Sequence, residues 1–252
     1  MKFSKRPKSR YRELRKSVKP GEVLIVPMDN RLLEDAIPYV AGGKNIPPWY
    51  KMSPKDGIRK CVGVNDYLNL GFILPAWTNV SFSPNHQYGG WDADLAQMQW
   101  AADEFRSEPF PLSTTGTCPM TSVRKIEQAP YPKLVNPFAF ITAPGWSLLV
   151  TGIPYEPNAN FDVVPAIVNT DYYHHMNIVL NLKSDQPFSI QYGEPLAHFI
   201  PFKRDTDIET LRFADESDYK YIISRGMGPS QFANKNGVSR GYRQWLRKQD
   251  DQ

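Results

Sequence analysis

The chain has 252 residues, 41% of them apolar and 22% charged, with 23 prolines and 16 glycines. That length gives one large domain or two small ones, enough to bury a core without metal or disulfide staples, and the composition argues against a wholly disordered chain. The two cysteines, Cys61 and Cys118, exclude a disulfide scaffold and fit free thiols in a reducing compartment, so a cytoplasmic location is expected.

The net charge of +4 is unevenly spread. Residues 1–20 carry nine basic side chains and one acid, Glu13; the rest of the sequence carries 21 basic and 25 acidic ones. A basic N-terminal arm over 1–20 thus precedes a mildly acidic body, read as a single domain over 21–252. Residues 2–19 suit non-specific, salt-sensitive contact with nucleic acid or an acidic partner, and a solvated tail is the plainer reading. No signal-type apolar run follows the arm. No stretch of about 18 apolar residues occurs, so no membrane span is expected.

In chain order, Glu22–Met28 follows Pro20-Gly21 and is predicted as a first strand. Residues 31–37 suit a short helix capped by Asp29 or Asn30. The turn-rich stretch Gly42–Gly57 contains Pro47-Pro48-Trp49-Tyr50. That matches the P-P-x-Y pattern bound by WW domains, and a proline-aromatic loop packed on the body is the simpler explanation. Residues 60–70 suit a short helix closed by Gly71. Phe72–Leu74 and Asn79–Phe82 read as strand pieces. Leu95, Met98, Ala102 and Phe105 fall on one face of a helix, and Ser107–Pro137 reads as loop.

The second half is cleaner. Strands are predicted at Phe138–Thr142, Trp146–Ile153, Phe161–Val168, Met176–Leu182, Phe188–Gln191 and Leu196–Phe202, with turn formers such as Asn158, Asn160, Ser184, Asp185 and Gly193 between them. No helical pattern intervenes, which argues against a parallel sheet. The expected fold is mainly β, a β-clip or jelly-roll-like core over 138–204 with a few short peripheral helices. Residues 217–224 and 242–248 suit short helices, with a loop over 226–237.

The candidate chemistry is sparse. A metal-dependent oxygenase would need two histidines and a carboxylate at one point, and His174, His198 and Asp171 are the candidates. His174 and His175, if in a strand, face opposite ways and cannot share a metal. Ser147 lacks the second glycine of a nucleophile elbow. Cys118 has no motif around it. No P-loop, dinucleotide-binding glycine pattern or zinc-type cysteine spacing occurs, and the glycines of 225–230 read as a surface loop.

Three segments carry a longer pattern: Ala166–Tyr173 (AIVNTDYY), Ile178–Asn181 (IVLN) and Phe188–Ile200 (FSIQYGEPLAHFI). They resemble the later motifs of the dUTPase family, with Glu194 for that family's aspartate after glycine, Leu196 for its isoleucine and His198 for its glutamine. Upstream, Pro144-Gly145-Trp146-Ser147-Leu148-Leu149 is similar to its P-R-S-x-L motif, one residue longer and without the arginine. The resemblance implies a β-clip fold, usually trimeric, and hence a homo-oligomer. It also implies a nucleotide-sized cleft near Phe161–Val168, with magnesium as cofactor if nucleotide is bound. The family's catalytic aspartate matches Asn169, an amide that cannot serve as a general base. Asp171 matches the motif's second aspartate.

The chain is also similar to an uncharacterised family of tailed-phage and bacterial proteins. The residues concerned are Pro48-Trp49-Tyr50-Lys51, Gly71-Phe72-Ile73-Leu74-Pro75, Thr142–Ser147, Val168-Asn169-Thr170-Asp171 and Ile200–Arg204. This implies phage origin, and then a place in the host cytoplasm or the virion.

Three functions follow. The favoured one is a non-enzymatic binding or structural protein with a macromolecular or nucleotide partner, whose ligand-binding residues are Ser147, Asn169, Asp171, Tyr172, Lys203 and Arg204. The second is a nucleotide-processing enzyme with Asp171 as the candidate catalytic acid and Lys203 or Arg204 near phosphate. The third is the oxygenase.

Overall fold

The computed structural model describes residues 13–27, 38–54, 57–77, 79–85, 90–94, 133–174, 176–184, 186–206, 213, 215–218 and 220. These residues form a mainly β fold: thirteen strands in four antiparallel sheets, with only short helices. In chain order the strands are β1 (Val23–Pro27), β2 (Tyr39–Val40), β3 (Phe72–Pro75), β4 (Val80–Asn85), β5 (Gly90–Asp94), β6 (Lys133–Val135) and β7 (Phe138–Thr142). They continue with β8 (Trp146–Thr151), β9 (Phe161–Val163), β10 (Ala166–Val168), β11 (Asn177–Leu182), β12 (Phe188–Ile190) and β13 (Pro195–Lys203). The sheets run β1-β7, β10-β8-β13-β3-β2, β6-β11-β9 and β12-β4-β5.

The chain divides into two compact units, residues 1–40 with 71–205, and residues 41–70 with 206–252. All the described strands lie in the first unit, around one apolar core fed by all four sheets. Phenylalanine rings join sheet to sheet. Phe72, Phe140 and Phe199, on β3, β7 and β13, stand with ring centroids 5.0–5.5 Å apart. Phe188 on β12 lies 4.9 Å from Phe82 on β4 and 6.1 Å from Phe161 on β9. Burying each such side chain stabilises the unit by about 1.5–3 kcal/mol. Gly71 leads into β3 with φ +70°, and a Cβ there would stand 2.0 Å from the Phe199 carbonyl oxygen, so only glycine fits.

Between β7 and β8 the chain changes sheet at Ala143-Pro144-Gly145-Trp146. Gly145 takes φ +82°, and the Trp146 N–H donates to the Ala143 carbonyl at 3.0 Å. This corner carries the candidate site.

The expected strand Phe161–Val168 is two strands in two sheets. Pro165 has no N–H for a ladder, and the chain crosses there from β9, paired with β11, to β10, paired with β8. Residues 133–135, expected in a loop, form β6. β2 and β5 were not expected: β2 has only two residues, and β5 is broken in pattern by glycine and aspartates. His174 lies in the β10–β11 connection rather than in a strand, and His175 falls outside the described residues.

In the second unit, Pro47-Pro48-Trp49-Tyr50 enters a short helix, Pro48–Met52, with Pro48 at its first position and Tyr50 buried. A second helix, Val62–Leu68, falls within the expected 60–70. Its C-cap Asn69 accepts from the Gly43 N–H at 3.4 Å and donates through Nδ2 to the Asn65 carbonyl at 2.6 Å. The helices expected over 31–37, 95–105 and 242–248, the loops over 107–132 and 226–237, and Cys118 lie outside the described residues. Among the described residues no helix is long and apolar enough to cross a membrane.

Candidate functional site

Strand register brings the candidate residues together. β8 pairs on one side with β10, Leu148 opposite Val168, and on the other with β13, Trp146 opposite Lys203. Ser147 therefore meets Asn169, the residue just past β10. Arg204, just past β13, meets Gly145, and its N–H extends the ladder to the Gly145 carbonyl at 2.9 Å.

Asp171 closes this junction. Its side chain is 1% exposed. Arg204 grips it with a two-pronged fork, Nη1 donating to Oδ1 at 2.7 Å and Nη2 to Oδ2 at 2.6 Å. The Gly145 N–H donates to Oδ2 at 2.9 Å. Arg204 Nη1 also donates to the Trp146 carbonyl and to Ser147 Oγ, both at 3.0 Å. Ser147, fully buried, donates its hydroxyl hydrogen bond to Asn169 Oδ1 at 2.8 Å. Beneath, Thr142 and Thr170 join hydroxyls at 2.8 Å, and Thr142 Oγ1 donates to the Trp146 carbonyl at 3.0 Å.

The electrostatics follow from the geometry. Burial pushes the Asp171 carboxyl up, but the hydrogen bonds from Arg204 and Gly145, with the Arg204 charge, outweigh it and hold the group below the usual carboxylate range. The same hydrogen bond raises Arg204. A carboxylate held ionised by three N–H donors has little affinity for a further proton, which is the opposite of what a general base needs. Nor does the donor set suit magnesium, because the guanidinium already sits where a cation would engage both oxygens.

Of the six candidate ligand-binding residues, Ser147, Asn169, Asp171, Tyr172 and Arg204 converge here. Lys203 does not: its ammonium pairs with Asp205, both side chains 58% exposed. Tyr172 is 69% exposed, with the Arg204 and Arg15 guanidinium carbons 5.5 and 5.2 Å from its ring centroid. The histidines stand apart in role. His174 Nδ1 lies 2.7 Å from the Thr170 carbonyl oxygen. His198 is fully buried on β13, in register with Ile73 and Thr151. Among the described residues no three His, Cys, Asp or Glu side chains gather as a metal site.

A separate cleft of about 480 Å³ opens in the first unit, lined by Gly152–Ile153, Glu156–Asn158, β9 and the start of β13. Glu156, Asp162 and Glu194 place three carboxylates on its walls. Asp162 is paired with Lys183 at 2.8 Å, and Glu194 accepts from the Gln191 N–H at 3.0 Å. Burial and then the Glu156 charge raise the Tyr39 phenol. The beginning of this wall, Phe161–Val163, lies within the segment that sequence resemblance marked for a nucleotide-sized cleft.

No protein-family model matches the chain, and a search of curated proteins finds no relative.

Sequence reasoning missed the Gly145 N–H, the Trp146 carbonyl and Arg15 as members of this cluster. Gly145 was visible as a turn glycine. The other two depend on pairings between distant segments that no local pattern encodes.

Proposed function

We propose that this chain is a phage-encoded, non-catalytic binding or structural protein on a dUTPase-like β-clip core. The observation that carries the reading is the closure of Asp171. Where a nucleotide hydrolase would keep an acid open to water, this acid is shut by Arg204 and the Gly145 N–H, and the neighbouring motif position is the amide of Asn169. The motif residues serve as a clasp that pins the β7–β8 corner to the ends of β10 and β13.

The cleft supports the same reading. Its volume lies within the ~300–1,000 Å³ of small-molecule sites. Its walls are acidic, and a triphosphate entering between Glu156 and Glu194 meets like charge. The full chain incubated with each common deoxynucleoside triphosphate and magnesium should release no product by ion-exchange chromatography. Turnover above the protein-free blank overturns the reading.

A further inference from the structure

Two neighbouring tyrosines on the clasp turn are left outside the core. Tyr172 is 69% exposed and Tyr173 63%. Burying a large apolar side chain is worth about 1.5–3 kcal/mol, so two adjacent open rings on an ordered turn forgo a substantial gain. The turn that holds them is rigid. Both tyrosine N–H groups donate to the Asn169 carbonyl at 2.9 Å, and Asp171, between Thr170 and Tyr172, is locked by Arg204. A turn held this firmly lowers the ordering cost of receiving a flat partner on its exposed rings.

The rings have a cationic neighbour. Residues 13–17 are helical, and Arg15 on that turn lies with its guanidinium carbon 5.2 Å from the Tyr172 ring centroid. Val18 just beyond is buried. Lys16 and Lys19 beside it are exposed. The sequence before it adds Lys2, Lys5, Arg6, Lys8, Arg10 and Arg12. Tyr172 is thus the ring that Arg15 lies against, and Tyr173 is the exposed ring next to it.

Open aromatic faces beside a run of cations fit a polyanion that itself carries flat rings. We propose that Tyr173, with Tyr172, Arg15, Lys16 and Lys19, forms a binding surface for single-stranded nucleic acid: bases stack on the tyrosine face and the arm neutralises phosphates. This deepens the non-catalytic reading above and rests on it, giving the binding protein a partner class. A duplex offers the same phosphates with its bases stacked inward, and a polyglutamate chain offers charge without rings.

The test is fluorescence anisotropy of the full chain with labelled 20-nucleotide oligothymidylate, a 20-base-pair duplex and polyglutamate. The single strand should bind most tightly, with affinity falling as salt rises. Tyr173→Ala, a change at an exposed site, should weaken the single strand by about 5- to 150-fold, the effect of losing a stacked base, and leave the duplex unchanged. Arg15→Ala should weaken both. Failure to bind the oligothymidylate overturns the inference, as does equal binding of polyglutamate, or a Tyr173→Ala variant that binds like the parent or loses both nucleic acids equally. None of these outcomes touches the non-catalytic reading, which fails only if nucleotide is consumed.

Discussion

Replacing Arg204 by methionine should reverse the way stability responds to pH. In the parent, the folded Asp171 carboxyl is held below its ordinary value of about 4. A depressed carboxyl contributes stability that is complete above the unfolded value and is lost as pH falls through the folded one. Methionine keeps much of the arginine stem's bulk and removes both prongs of the fork. A carboxylate 1% exposed is then left with backbone N–H donors only, that of Gly145 and its own. Breaking a buried ion pair from one side costs about 3–5 kcal/mol, and the surviving N–H donors and the 28% exposure of Arg204 place this case near 3. For a chain of this size that is about 6–12 °C in melting temperature. Burial now dominates, so the folded carboxyl rises above about 4, and the variant gains stability as acid neutralises it. Urea denaturation followed by tryptophan fluorescence, run at steps from pH 8 to pH 5, should show a gap between parent and variant that narrows as the pH falls. A gap below about 1 kcal/mol, the scale of a surface pair, or one independent of pH, refutes the reasoning.

Three further outcomes are expected. Gly71→Ala forces a Cβ to within 2.0 Å of the Phe199 carbonyl oxygen at φ +70°, so thermal unfolding should show a loss of about 3 kcal/mol or more, and a loss under 1 kcal/mol contradicts the close approach. Phe199→Ala empties a fully buried site between Phe72 and Phe140 and should lower stability by about 3–5 kcal/mol in chemical denaturation. Asn169→Asp restores an acid at the position the dUTPase resemblance marks as catalytic, yet it should yield no nucleotide turnover, because Arg204 and the Ser147 hydroxyl already meet at this junction. Phosphate or pyrophosphate release by that variant would place reactive geometry where the clasp account has none.

Much of the β framework was legible because its strands are apolar runs cut by prolines and turn glycines. Phe138–Thr142 is buried at every position, and continuous apolarity marks it from sequence alone. Phe161–Val168 misled for a similar reason: apart from Asp162 the run is apolar, and only Pro165 records that it serves two sheets. β2 was out of reach, since two residues carry no period. The convergence of Ser147, Asn169, Asp171 and Arg204 was proposed from motif resemblance. Its chemistry turned on a pairing between residues 33 apart in sequence, which follows from the β8–β13 register and not from local pattern. Lys203 shows the limit of that approach: one residue from Arg204, it ends β13 and pairs with Asp205 instead.

The measurement closest to the central claim is the titration of Asp171 itself, followed by NMR of protein with carboxyl-labelled aspartate. If Asp171 belongs to the framework, its midpoint lies below the ordinary value of about 4, and Arg204→Met raises it. A midpoint near 6 to 7 in the parent would mark a carboxyl poised to exchange protons at working pH, about where a general base operates, and would contradict the clasp.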